Sequence, residues 1–189
     1  MRKRKMSRLL ILVLCAAQLF CYVSLANAES SQSNGAATTA RLDFRITIPT
    51  VLHLQVGTVG ATRDLVTFAV TDLPGTGAVA GVSSGANPVP VRVAALIGPA
   101  ATVTLRADSS TPLTNGSTTI PFSEISWTAG GSGGFTSGAF SGGANQQLDQ
   151  FTGPGSRTGT YSFSYANTTY YPATVAPYNG TVTYTLTSP

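Results

Sequence analysis

The stretch Leu42-Asp43-Phe44-Arg45-Ile46-Thr47-Ile48-Pro49-Thr50-Val51-Leu52-His53-Leu54-Gln55-Val56 decides how this chain is read. Leu42, Phe44, Ile46 and Ile48 occupy even positions, with Arg41, Asp43, Arg45 and Thr47 between them. Successive side chains of a strand point to opposite faces, so this spacing predicts a strand with one apolar face. Pro49 interrupts it, because proline has no N–H to give to a central ladder. Leu52, Leu54 and Val56 then resume the even positions and stop at Gly57. The stretch is therefore two strand-length units with a Pro49-Thr50 hinge between them.

Further along, strand patterns come at short, turn-punctuated intervals. Leu65 to Leu73 is one, closed by Pro74-Gly75. Val89 to Leu96 alternates at Val89, Val91 and Val93 up to Gly98-Pro99, and Ala101 to Ala107 alternates at Val103 and Leu105. Ile120 to Trp127 follows the Asn115-Gly116 turn. The glycine-dense segment 129–143 reads as a loop or a pair of short strands. Gln146 to Phe151, Thr160 to Tyr165 and Gly180 to Thr187 complete the series. No apolar period of 3.6 residues occurs after the N-terminal segment. The expectation is an all-β chain, an immunoglobulin-like β-sandwich of about 7–9 short strands.

The N-terminus has a different character. Arg2, Lys3, Arg4, Lys5 and Arg8 precede an apolar run beginning at Leu9, and Ala26-Asn27-Ala28 offers a small-x-small cleavage site. Residues 1–28 thus read as a cleaved signal peptide, which predicts export through an inner membrane and no membrane span in the mature chain. Residues 29–41 read as a flexible polar leader. Five of the 11 Lys and Arg lie in the signal segment and none of the seven acids does, which leaves six Arg against seven acids and a formal charge of −1. The whole-chain pI of 9.3 is therefore no argument for nucleic acid as a partner. Both cysteines, Cys15 and Cys21, also fall in that segment, so the remainder has no disulfide framework.

The pattern offers little chemistry. His53 is the sole histidine and takes a polar-face position between Leu52 and Leu54, where an ordinary surface histidine is the better reading. It has no second histidine or cysteine with which to complete a metal site or a triad. The acids Glu29, Asp43, Asp64, Asp72, Asp108, Glu124 and Asp149 are scattered. Their spacing matches no calcium loop. Neither an enzyme nor a cofactor is expected. Gly130-Gly131-Ser132-Gly133-Gly134 lacks the lysine and helix of a phosphate loop. Trp127 with Tyr161, Phe163 and Tyr165 could form a sugar-stacking face, though strand spacing favours a place in the core. The Asn115, Asn167 and Asn179 sequons read as turns.

These residues resemble the major pilins of the chaperone–usher pathway, especially the cysteine-free alpha type. Three segments carry the resemblance: Leu42 to Leu52; Ala101 to Asp108 with Ile120 to Trp127; and Tyr178-Asn179-Gly180-Thr181-Val182-Thr183-Tyr184-Thr185-Leu186-Thr187. It implies a sandwich of residues 49–189 that lacks one strand, and a donor-strand extension, 42–48, that fills the groove of a neighbouring subunit. Donor-strand complementation of this kind is a form of β-strand addition. The implied inserted side chains are Leu42, Phe44, Ile46 and Ile48, contributing roughly 6–12 kcal/mol before ordering costs if each is fully buried. Implied partners are neighbouring pilin subunits, a periplasmic chaperone and an outer-membrane usher. The implied destination is the cell surface, as a fimbrium supporting adhesion or biofilm formation. The alternative is a secreted, non-polymerising β-sandwich, either a coat or matrix protein or a carbohydrate-binding module.

Overall fold

The computed structural model describes residues 31–188 except Ala36 and Ala61. Residues 1–28, read above as a signal peptide, and both cysteines lie outside the described residues. The chain divides into two units, residues 1–47 and 48–189. In the first, every described residue is exposed and none belongs to a helix or strand. The period-two segment 42–48, expected as a strand, therefore has no ladder. Alternation can specify faces, but a strand also needs a partner for its N–H and C=O groups.

The second unit is an antiparallel β-sandwich. Strand β1 (Val51–Val56) pairs with β4 (Val89–Leu96), which pairs with the first part of β11 (Gly155–Tyr165). Further along, β11 pairs with β8 (Ile125–Gly130) on its other edge, and Ser164 and Tyr165 also reach β3 (Val79–Ser83). Strand β2 (Val66–Phe68) borders β3, and β9 (Gly138–Ala139) borders β8. The opposing sheet has the order β10–β5–β12, formed by Gln146–Thr152, Thr102–Asp108 and Thr183–Thr187. A small hairpin of β6 (Leu113–Thr114) and β7 (Thr119–Ile120) turns through Gly116 at φ +99°, a conformation that costs glycine little. The Asn115 side chain accepts from the N–H groups of Ser117 and Thr118 at 3.0 and 2.9 Å.

Alternation explains the core. In β4, Val89, Val91, Val93 and Ala95 are buried while Arg92 and Leu96 are exposed; in β5, Val103, Leu105 and Ala107 meet them from the other sheet. Aromatic rings fill the space towards β8. Trp127 lies 4.9 Å from the Phe140 ring and 5.9 Å from Tyr161, and its indole N–H donates to Thr136 O at 2.8 Å. A register shift between Gln147 and Asp149 makes Leu148 and Asp149 consecutive buried residues. Asp149 is satisfied there, accepting from the Thr136 N–H and hydroxyl at 3.1 and 2.7 Å and from the Tyr161 hydroxyl at 3.4 Å.

Several boundaries differ from the expectation. The strand expected over 65–73 is limited to Val66–Phe68. The run expected from Ile120 to Trp127 is broken after β7 by a 3-10 turn, Phe122–Glu124, which follows Pro121 and buries Phe122. β8 starts only at Ile125 and extends into the glycine-dense region, where β9 adds two residues. β3 lies in a stretch for which no strand was expected, and β11 begins five residues before the anticipated Thr160. Twelve strands result among the described residues, three of them only two residues long. Asn167, expected as a plain turn residue, is buried with φ at +48°, and its side-chain amide donates to Asp72 O and Leu73 O at 3.5 and 3.4 Å.

Candidate functional site

The two sheets leave their open edges side by side. Among the described residues, β1 shares a ladder only with β4, and β12 only with β5. β1 and β12 nevertheless approach within 8 Å between Cα atoms without sharing a ladder. At one end of this seam Leu54 and Leu186 pack against both groups of buried core residues. At the other end the sheets part around a groove of about 630 Å³.

One wall of the groove is built from Val56, the described residues of the loop between β1 and β2, and β2 itself. Gly57 continues the β1 pairing by donating to Pro90 O at 2.8 Å, then turns at φ +99°. Thr58 N–H donates to an Asp64 carboxylate oxygen at 2.7 Å, and the Thr58 hydroxyl accepts from Ala86 N–H at 3.0 Å. Leu65 and Ser84 are joined by two bonds of 2.9 and 2.8 Å. The loop is thus tied to the chain after β3 and leads into Val66 and Phe68.

The facing wall is the segment entering β12. Asn179 exchanges two backbone bonds with Thr114 at 2.8 and 2.9 Å. Gly180 then passes so close to the hairpin that an added Cβ would stand 2.9 Å from Phe122 Cζ and 3.1 Å from Leu113 Cα. Val182 and Tyr184 follow with their side chains on the core side. Burial pushes the Tyr184 hydroxyl pKa upward, so this phenol stays neutral well above neutral pH. The floor is apolar: Val89, Phe122, Ile125, Phe140 and Phe163.

An apolar floor between two walls, beside a strand whose outer N–H and C=O groups meet no other strand, suits an added extended peptide. Pairing along β12 would satisfy the edge, and alternate side chains would enter the groove. Leu42, Phe44, Ile46 and Ile48 have that spacing, and they are 76, 85, 85 and 71 % exposed. The first three belong to the unit that ends at Thr47, and Ile48 opens the second.

Of the other candidate residues, Phe163 lies in the groove floor and Asp64 and Asn179 in its walls, whereas His53, Trp127, Tyr161 and Tyr165 do not line it. His53 is exposed on β1, and no group of three or more His, Cys, Asp or Glu side chains capable of holding a metal occurs among the described residues. Trp127, Tyr161 and Tyr165 are buried in the core, which leaves no coplanar sugar platform at Trp127. Sequence reading missed the part of the first groove wall formed by residues 57–60 and 62–65, while β2 falls within the strand expected over 65–73. The alternation of Val182, Tyr184 and Leu186 was the visible trace of the other wall. No protein-family model, curated protein or solved structure matches this chain.

Proposed function

We propose that this protein is a non-enzymatic structural subunit of a bacterial surface pilus, polymerising by donor-strand exchange. Segment 42–48 of one copy enters the groove of the next, with Leu42, Phe44, Ile46 and Ile48 as the inserted side chains. A periplasmic chaperone occupies the groove until an outer-membrane usher delivers the neighbouring subunit. Fibres built this way would serve adhesion or biofilm formation at the cell surface.

One observation carries the reading. The same chain holds a solvent-exposed apolar face at strand spacing and an apolar groove beside an unpaired strand edge. Monomeric proteins rarely keep large apolar surface in water without a partner for it.

The test is electron microscopy and native-gel analysis of the exported protein beside Phe44→Asp. Wild-type protein should form multimers, and Phe44→Asp should reduce them at least tenfold while keeping the wild-type fluorescence of buried Trp127. Unfolding of Phe44→Asp would place Phe44 in its own domain core instead, and undiminished assembly would exclude the extension from the contact.

A further inference from the structure

We propose that the hinge Ile48-Pro49-Thr50-Val51 prevents the extension from completing its own domain, so that the groove's occupant is the extension of a second copy of this chain. The inference rests on the donor-strand reading above. The shortest self-filling route is a hairpin in which 42–48 turns back along the free edge of β1, parting β1 from β12 where they now lie within 8 Å.

Register opposes that route first. On β1 the even residues face the core, with Leu54 and Val56 packed against it. Directly opposed residues of an antiparallel pair share a face. A two-residue loop at Pro49-Thr50 would set Arg45 opposite Leu54 and Asp43 opposite Val56. The polar face of the extension would then point inward and Phe44 outward, since a one-residue change of register exchanges the faces. Only a loop with an odd number of residues sets Ile46, Phe44 and Leu42 opposite Leu52, Leu54 and Val56.

Turn chemistry opposes the odd loops. A two-residue hairpin needs φ > 0 at its first position, which proline, fixed near −65°, cannot adopt. A three-residue loop consists of a type I turn followed by a left-handed residue. Over residues 48–50 it would place Ile48 in the α region immediately before proline and Thr50 in the left-handed region. Over residues 49–51 it would place Val51 there and take it from its pairing with Leu96. Residues before proline avoid the α region, and β-branched side chains avoid the left-handed one. No Gly, Asn or Asp occurs between Thr47 and Val51.

Three hinge variants of the full-length protein test this through multimer yield and hydrogen exchange of residues 42–48. Ile48→Asn/Pro49→Asp/Thr50→Gly supplies a loop of correct parity and turn chemistry. It should be a monomer with protected 42–48 amides and at least tenfold fewer multimers than wild type. Replacing Ile48-Pro49-Thr50 by Asn-Gly shortens the hinge by one residue, so its two-residue loop also sets Phe44 opposite Leu54, and it should behave alike. Pro49→Asn/Thr50→Gly supplies a favourable two-residue turn of the wrong parity and should still polymerise. The inference is overturned if both variants that set Phe44 opposite Leu54 multimerise like wild type, or if wild type is itself a monomer with 42–48 protected. A synthetic peptide of residues 41–48 added to full-length Phe44→Asp tests the parent reading separately. Binding supports the groove as acceptor whatever the hinge variants do, and absence of binding removes the donor-strand reading together with this one.

Discussion

In the extension, Leu42, Phe44, Ile46 and Ile48 stand exposed at every second position, whereas Val182, Tyr184 and Leu186 keep the same spacing and are half-buried against the core. Both segments alternate with Thr, Arg or Asp. The later one is ordered because β5 takes up one side of its backbone, from Thr183 opposite Asp108 to Thr187 opposite Thr104. The earlier one has no ladder. Alternation thus defines an apolar face, and an available edge decides whether that face is buried. β12 has one edge used and one open, and the extension has both open.

The sharpest contrast is between Leu105, fully buried in β5, and Phe44. Leu105→Ala should cost about 2–5 kcal/mol in chemical denaturation, because it removes transfer energy and leaves a cavity. Phe44→Ala should change monomer stability by less than about 0.5 kcal/mol. Equal costs in the two variants would break the comparison. Next in size is Gly180→Val, whose side chain must displace Phe122 or the Leu113 backbone. Overpacking of this kind costs about 1–3 kcal/mol. It should also weaken binding of the 41–48 peptide, measured by fluorescence titration.

A smaller effect belongs to alkaline pH. Burial first, and then the Asp149 carboxylate, raise the Tyr161 pKa above its ordinary value of 10.0. The unfolded phenol therefore ionises first. Stability is fully present below about pH 10 and falls as pH rises beyond it, until the folded-state phenol also loses its proton. Tyr161→Phe should reduce the slope of stability against pH in that window by about one proton. The extension contains no tyrosine, so Phe44→Asp should leave the slope unchanged. Least of all, Arg45→Ala on the polar face should alter stability by no more than about 0.5 kcal/mol, checked by thermal unfolding.

Much of the sandwich was legible in the sequence because β1, β4, β5 and β12 alternate over at least five residues each. The misses have physical causes. β3 contains Gly81, whose missing side chain leaves room for Val66 and Phe68, and this breaks the apolar pattern that would have marked the strand. The start of β11, Gly155-Ser156-Arg157-Thr158-Gly159, is polar, and its pairing to Ala95 through Val91 of β4 supplies what its side chains do not. The candidate site was half legible. The four extension side chains announce themselves by spacing, whereas the loop after β1 is held by the Thr58–Asp64 bond within it and by the Leu65–Ser84 and Thr58–Ala86 bonds to the segment after β3.

The most direct measurement is amide hydrogen exchange on the assembled and monomeric protein, comparing residues 42–48 with 182–187. Donor-strand exchange predicts that both segments become protected together on assembly, by at least a hundredfold, and that Phe44→Asp abolishes both changes. Multimers in which 42–48 continues to exchange as fast as in the monomer would contradict it.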